Sequence, residues 1–364
     1  MDGNFEQARD FFVQGLDHYQ SGRFAAAELQ FAASLALLPG RVSSLTNLGA
    51  TRLKLGKFRD AADLLEEAVA KEPDNVEALA HLATALAELG HAARALACVE
   101  RALQVNPDLG PAWTLRGSLL KELGRLDDAR AAFRNAIEHG ADTSTNHYQL
   151  ASLGAEGAPR TAPREYVQAL FDGYADGFEE HLVQVLRYRA PDILVEGLVG
   201  PDRVFARALD LGCGTGLCGL KLRPLARQLH GVDLSGNMVE RAARRGVYDE
   251  VVHDDLAHFL NATPNRYDLV LAADVFIYVG ALEDVFAGVA RVLEPGGLFC
   301  FSVEKAQDGR EFELRRSMRY AHSPGYIQKL AVQFGFEFRS TAEHSIRDDQ
   351  RTPIPGFFAW LVRP

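Results

Sequence analysis

The chain has 364 residues, enough for two or three domains of about 150 residues, and 47% of them are apolar, which excludes a disordered or disulfide-stapled miniprotein. Lys and Arg number 39 against 49 Asp and Glu, and the net charge of −10 disfavours non-specific attraction to nucleic acid or anionic lipid. Cys98, Cys213, Cys218 and Cys300 form no CxxC pair and no zinc spacing with histidine, so neither a disulfide framework nor a metal site is expected. The start, MDGNFEQARD, is acidic without an apolar leader core, and no run of about 18 uncharged apolar residues occurs. The expectation is a soluble, cytoplasmic protein without membrane or nucleic-acid partners.

Residues 1–155 repeat with a period of 34. Gly15, Gly49, Ala83 and Gly117 keep that step, as do Gly22, Gly56, Gly90 and Gly124, then Ala27, Ala61, Ala95 and Ala129, and Pro39, Pro73 and Pro107. Large apolar residues such as Phe31, Leu65, Val99 and Phe133 fall between them at helical spacing, so each unit is two short helices. The first small residue lets the two helices approach, the second glycine serves the turn, the alanine sits at the crossing and proline closes the unit. Four units, capped by a helix around His147 to Ala155, make an all-α solenoid with a groove. The pattern resembles the tetratricopeptide repeat, with Ala141 where a fourth proline would stand and Trp113 as the one consensus tryptophan. Such a groove implies a protein or peptide partner; a spacer or a homodimerisation arm is the alternative. With 15 basic and 20 acidic side chains, residues 1–155 give no clue to the ligand's sign.

Residues 156–163, EGAPRTAP, read as a linker. The segment Tyr166 to Pro191 looks helical and puts Phe171, Tyr174 and Phe178 on one face, either as a core stripe or as part of a site. Strand patterns then alternate with helical ones: ARALDLG, QLHGVDL, YDEVVHDDL, RYDLVLAADVF and GGLFCFSVE, followed by GFEFRST and PGFFAWLVRP, which pair near one edge. The rhythm predicts a mainly parallel sheet with helices on both faces.

In Asp210-Leu211-Gly212-Cys213-Gly214-Thr215-Gly216 a strand turns through glycines into a helix, which allows close approach of backbone to a ligand. Gly214, Gly216 and Gly219 also spell the dinucleotide fingerprint, so an NAD(P)-dependent oxidoreductase is a second reading. Asp210 argues against it: a carboxylate at the loop repels a pyrophosphate and favours a phosphate-free cofactor bearing an ammonium, which S-adenosylmethionine is. Asp233 lies 21 residues after Gly212, the distance at which an acid accepts ribose hydroxyls. Asp255, in Asp254-Asp255-Leu256 after the third strand, is placed to accept the adenine amino group.

Residues 164–364 resemble a class I S-adenosylmethionine-dependent methyltransferase, on the ordered motifs DLGCGTG, GVDLS, DDL, YDLVLAADVF and EPGG. The whole chain resembles bacterial methyltransferases carrying tetratricopeptide repeats, near the ubiquinone- and biotin-pathway type. The resemblance implies a Rossmann-like sheet of order 3-2-1-4-5-7-6 with an antiparallel last strand, and the aromatic helix folded over the cofactor. It implies that Asp210, Gly212, Gly214 and Gly216 hold the methionyl end and Asp233 the ribose. Leu234 and Met238 flank the adenine, Asp255 and Leu256 read its edge, and Ala273 offers main chain near the amino group; Leu234, Met238 and Leu256 also suit an ordinary core. Tyr166 and Tyr174 are candidates for the methionyl carboxylate or sulfonium.

Methyl transfer from a sulfonium is an in-line displacement, so positioning in a dry site supplies most of the rate, and a base is needed only for an acceptor that must lose a proton. Tyr278, after the fourth strand, is one candidate for the reacting centre, at a position where related enzymes often carry histidine. His322 and Tyr326, in the run Arg319 to Tyr326, are the others; Ser323-Pro324 equally well starts a helix there. Arg319 and Arg189 are candidates for an acidic acceptor, and Glu304 ends strand five. The acceptor, whether small molecule, carrier-bound or peptide, is not defined by these residues. A repeat scaffold with an inactive methylase domain is a further alternative.

Overall fold

The computed structural model describes residues 2–174, 182, 186–198, 204–307, 309–349 and 352–364. The chain forms two compact units, Met1–Leu153 and Gly154–Pro364.

The first unit is four helical hairpins and a last helix: α1 (Asp2–Gln20) with α2 (Phe24–Leu37), α3 (Val42–Lys54) with α4 (Phe58–Lys71), α5 (Val76–Glu88) with α6 (Ala92–Val105), α7 (Gly110–Glu122) with α8 (Leu126–Glu138), and α9 (Thr143–Ser152). Gly22, Gly56, Gly90 and Gly124 all turn with φ between +70° and +76°, the left-handed region where glycine carries no Cβ penalty. A Cβ on Gly15, Gly49 or Gly117 would lie 2.6 Å from Phe31, Leu65 or Phe133, the large residue 16 positions later, so the hairpins close because these positions are bare. Ala27, Ala61, Ala95 and Ala129 are fully buried at the crossings. Prolines follow α2, α4 and α6; after α8 the stop is Gly140, with φ +75°, and Ala141 N–H returns to Ala136 O at 2.9 Å. Trp113 Nε1 donates to Pro107 O at 2.8 Å. The last helix is capped by Asp142, whose carboxylate accepts from Ser144 N. It is tied back through Asn146 to Thr114 and through Lys121, which donates to Gln149 and Ser152. Burial lowers the Lys121 pKa to about 8.

In the second unit the strands are β1 (Phe205–Leu211), β2 (Ala226–Asp233), β3 (Glu250–His253), β4 (Tyr267–Ala272), β5 (Leu293–Lys305), β6 (Phe312–Leu314), β7 (Tyr320–His322), β8 (Glu337–Asp349) and β9 (Thr352–Val362). The helices are α10 (Arg164–Tyr174), α11 (Ala190–Glu196), α12 (Leu217–Leu222), α13 (Gly236–Arg244), α14 (Leu256–Ala262), α15 (Glu283–Val292) and α16 (Pro324–Gln333). The principal strands lie in the order β3-β2-β1-β4-β5-β9-β8, parallel through β5, with β9 antiparallel to both β5 and β8. This is the expected order of a seven-stranded Rossmann-like sheet. An added hairpin, β6 and β7, pairs with the last residues of β5, Glu304 and Lys305. β9 holds one edge of Glu304, so the hairpin takes the other edge, beyond the point where β4 has ended.

Alternation along β5 feeds two cores. Phe299, Phe301 and Val303 face a cluster with Phe276, Phe286 and Phe336, whereas Leu298 and Cys300 face Leu194, Phe358 and Trp360 on the opposite side. Trp360 Nε1 donates to Leu194 O at 3.0 Å, which fastens α11 to the sheet.

Two expectations change. Residues 158–162 are not a free linker: Arg160 O accepts from Gly280 N and Ala281 N, Ala162 N donates to Tyr278 O, and Tyr320 Oη donates to Pro159 O. Pro159 within the strip and Pro163 just after it restrict its backbone, and it belongs to the second unit. Nor is Tyr166 to Pro191 one helix, because Arg187 has φ +50° and α11 starts only at Ala190. Phe178 lies outside the described residues.

Replacing Gly117 by alanine should cost about 1–3 kcal/mol of unfolding free energy in urea titrations, because the new methyl overpacks the buried Phe133 ring. An unchanged midpoint would mean that the α7–α8 pair opens without penalty.

Candidate active site

The loops leaving the carboxyl ends of β1, β2, β3 and β4 surround a cavity of about 550 Å³. The first loop turns at Gly212, φ +73°, where a Cβ would sit 2.5 Å from Val275, so glycine is what allows the loops after β1 and β4 to meet. Gly214, φ +53°, has open space where a side chain would begin, and bare backbone faces the cavity. Gly216, φ +94°, starts α12. Thr215 Oγ1 lies buried in the same loop without a hydrogen-bond partner among the described residues. Gly219, the third glycine of the dinucleotide fingerprint, is a packing position: a Cβ there would lie 2.4 Å from Tyr248.

Asp233, at the tip of β2, lines the cavity and is held at both oxygens. Gly214 N donates to Oδ2 at 2.8 Å and Ser235 N to Oδ1 at 2.9 Å. Burial raises its pKa, against the pull of those N–H groups. Ser235 caps α13 by accepting from Met238 N, and its hydroxyl donates to Asp172 of α10; Asn237 Nδ2 donates to the Asp172 carbonyl at 3.0 Å. Helix α10 therefore docks on the start of α13. Leu234, Met238, Asp255 and Leu256 all line the cavity. Asp255 also caps α14, its Oδ1 accepting from Ala257 N and His258 N. Ala273 lines the cavity too, and its carbonyl accepts from Tyr188 Oη at 3.1 Å.

Asp210 is placed differently from the expectation. It is 1% exposed, is not among the residues lining the cavity, and its Oδ2 accepts from Tyr248 Oη at 2.6 Å. Burial pushes its pKa up to about 7, the Tyr248 bond opposing and Asp233 adding. It sits behind the glycine loop because β1 delivers it into the sheet two residues before the turn.

Tyr166 also does not line the cavity; α10 turns Arg164, Val167, Leu170 and Phe171 toward it instead. Tyr166 lies near Tyr278 and Arg319, and burial first, then Tyr278, push its pKa up to about 12 against the effect of Arg319. The side chain of Tyr174 lies outside the described residues.

Of the three candidates for the reacting centre, only Tyr278 reaches the cavity. Its ring meets Phe171 edge-on at 5.4 Å, Arg319 hydrogen-bonds it, and burial raises its pKa. His322 is fully buried and donates through Nε2 to the carbonyls of Val279 and Gly280, each at 2.9 Å, fastening the turn after β4. Tyr326 is 2% exposed, accepts from Leu282 N and donates to Glu283. Ser323 Oγ accepts from Tyr326 N, so the helix-start reading of Ser323-Pro324 describes this run. Arg319 lines the cavity; Arg189 does not, and precedes α11.

A buried ionic network escaped the sequence reading. Arg347 of β8, 2% exposed, bridges Asp274 after β4 and Glu304 at the end of β5, and Glu304 also takes Arg315 at 3.0 Å. Asp274 and Arg347 both line the cavity. Burial works against the Arg347 charge, but the two carboxylates outweigh it and raise its pKa. The one sequence signal was an arginine beside Ile346 within an alternating strand.

Residues 209–301 match the family model described as a methyltransferase domain, and residues 52–119 and 110–138 match tetratricopeptide repeat models. The chain is 31% identical over 169 residues to human Methyltransferase-like protein 27, covering 44% of this chain and 65% of that one. It is 31% identical over 156 residues to the malonyl-[acyl-carrier protein] O-methyltransferase of Enterobacter lignolyticus, covering 43% and 59%. The chain thus spans less than two thirds of the length of either relative. Among solved structures, magnesium protoporphyrin IX methyltransferase from Synechocystis, with bound S-adenosylhomocysteine, aligns at 18% identity and TM-score 0.43, over 55% of this chain and 99% of that one. This is a chain with tetratricopeptide repeats followed by a Rossmann-like methyltransferase domain.

Burial lowers the His322 pKa from 6.5 to about 4, so the folded chain binds fewer protons there than the unfolded chain. The contribution of His322 is fully present above about pH 6.5 and is lost as pH falls toward 4. A urea-midpoint series should therefore show an acid-side slope that H322Q diminishes; identical profiles would place the imidazole in solvent.

Proposed function

We propose that the chain is an S-adenosylmethionine-dependent methyltransferase acting on a small-molecule, carrier-bound or peptide acceptor. The observation that carries this reading is Asp233, a cavity-facing carboxylate held by the N–H groups of Gly214 and Ser235 beside a bare glycine loop. The carboxylate acceptors suit a ligand that donates from ribose hydroxyls and an ammonium; Asp233 and Asp255 at the strand tips oppose a diphosphate. In this reading the backbone of Gly212, Gly214 and Gly216 holds the methionyl end and Asp233 the ribose. Leu234 and Met238 flank the adenine, and Asp255 with Leu256 reads its edge. Asp210, behind the loop, acts through it by fixing Tyr248, on which Gly216 and Gly219 pack.

S-adenosylmethionine, when bound, supplies an electrophilic methyl group on a sulfonium. The walls contributed by Leu170, Phe171, Val275 and Ile277 exclude water from the reacting centre. With its pKa raised by burial, Tyr278 stays protonated at neutral pH and donates a hydrogen bond rather than acting as a base. The repeats serve partner docking, either of a protein-borne acceptor or of a second copy. No helix among the described residues is long and apolar enough to cross a membrane.

Calorimetric titration of the full chain with S-adenosylhomocysteine should give saturable binding, weakened about tenfold to a hundredfold by Asp233→Ala through loss of the charged hydrogen-bond acceptor. Tighter binding of NADH than of S-adenosylhomocysteine would reverse the assignment. With methyl-labelled cofactor and a cell extract, deletion of residues 1–153 should leave cofactor affinity intact while labelling of a protein acceptor drops. Unchanged labelling would reduce the repeats to an accessory.

A further inference from the structure

The cofactor reading leaves Asp274 unexplained. It follows β4 directly and adopts φ +56°, a left-handed conformation uncommon outside glycine, asparagine and aspartate. Its N–H donates to Ser302 Oγ at 2.9 Å, and its Oδ2 accepts from Arg347, which Glu304 anchors from the other side. The backbone is thus held by Ser302 and the carboxylate by Arg347. The side chain is only 9% exposed, lines the cavity, and its Oδ1 is buried with no hydrogen-bond partner among the described residues. A buried acceptor left open in an otherwise satisfied network points to a donor on a ligand.

The surroundings select the donor. Arg347 is already paired with Asp274 and Glu304, but Arg319 lines the same cavity, so a cationic acceptor at Asp274 would be brought beside its guanidinium. A carboxylate has no proton to offer Oδ1 and would meet a like charge. A neutral hydroxyl meets neither objection, and Tyr278 is at hand as a second polar contact.

We infer that Asp274 Oδ1 receives the hydroxyl of an alcohol or phenol acceptor, and that Arg347 is the positioning residue that aims it. This rests on the methyl-transfer reading above. The hydroxyl oxygen forms its bond to the methyl carbon as the carbon–sulfur bond breaks. Sulfur keeps that electron pair and becomes a neutral thioether, and the hydroxyl proton passes to Asp274 Oδ1, then to water on product release.

Asp274→Asn is the informative variant, because asparagine tolerates the left-handed backbone and its amide must turn oxygen toward Arg347. The NH₂ then faces the cavity, converting an acceptor into a donor. The full-length chain and D274N are titrated with S-adenosylhomocysteine, then incubated with methyl-labelled S-adenosylmethionine and a small-molecule extract. Expected are unchanged affinity, about a hundredfold less transfer in D274N, and a wild-type product that resists mild alkali and is a methyl ether by mass spectrometry. Release of the label as methanol, or an N-methyl product, would overturn the hydroxyl assignment without recourse to the variant. An equal loss of S-adenosylhomocysteine affinity in D274N would give the carboxylate to the cofactor instead. Failure of the wild-type chain to bind S-adenosylhomocysteine would overturn the methyl-transfer reading itself.

Discussion

The bond from Gly214 N–H to the Asp233 carboxylate joins the tip of β1 to the tip of β2, and the cavity is organised around it. Strands β1 and β2 run in register up to Leu211 and Val232, and Val232 O then accepts from both Gly212 N and Cys213 N. The chain can leave the sheet there only through a left-handed turn, which glycine supplies. The same carboxylate accepts from Ser235 N, and Ser235 caps α13 and bonds α10. The glycine loop and the start of α13 thus share one acidic side chain, with α10 tied on through Ser235, and the desolvation that raises its pKa is opposed by the donors that fix it.

The other half of the cavity depends on a second constraint. A guanidinium as buried as Arg347 is tolerable only where carboxylates surround it, and Asp274 and Glu304 do so from the ends of two adjacent strands. Arg347 belongs to β8, which among the described residues reaches the rest of the sheet only through β9. The cavity is therefore incomplete until the C-terminal hairpin has paired with β5, so site assembly is coupled to closure of the sheet.

Local grammar carried most of the architecture. A 34-residue step in small residues states where helices must touch, and Gly15, Gly49 and Gly117 are bare because Phe31, Leu65 and Phe133 press on them. Glycine turns and acids at strand ends likewise declared Gly212, Gly214, Gly216 and Asp233, since both the backbone demand and the charge are written within a few residues. What stayed hidden depends on direction and partnership. Asp210 has the right spacing, but strand alternation turns it into the sheet toward Tyr248. His322 and Tyr326 sit in a run rich in polar chemistry, yet their partners are the carbonyls and amide of the turn after β4, about 40 residues away. Arg347 reads as a solvated charge until β8 is placed beside β9.

The β6–β7 hairpin attaches where β4 has stopped, by two residue pairs with β5, and interrupts no other pairing of the sheet. It nevertheless adjoins the segment that carries Arg319 to the cavity wall. Its connecting turn carries Arg315 to Glu304, and β7 carries His322 to the carbonyls after β4, so the hairpin is tied into the wall that holds Arg347. A change in the length of this hairpin would therefore be felt first at Glu304 and at the turn after β4, before it reached the glycine loop and Asp233.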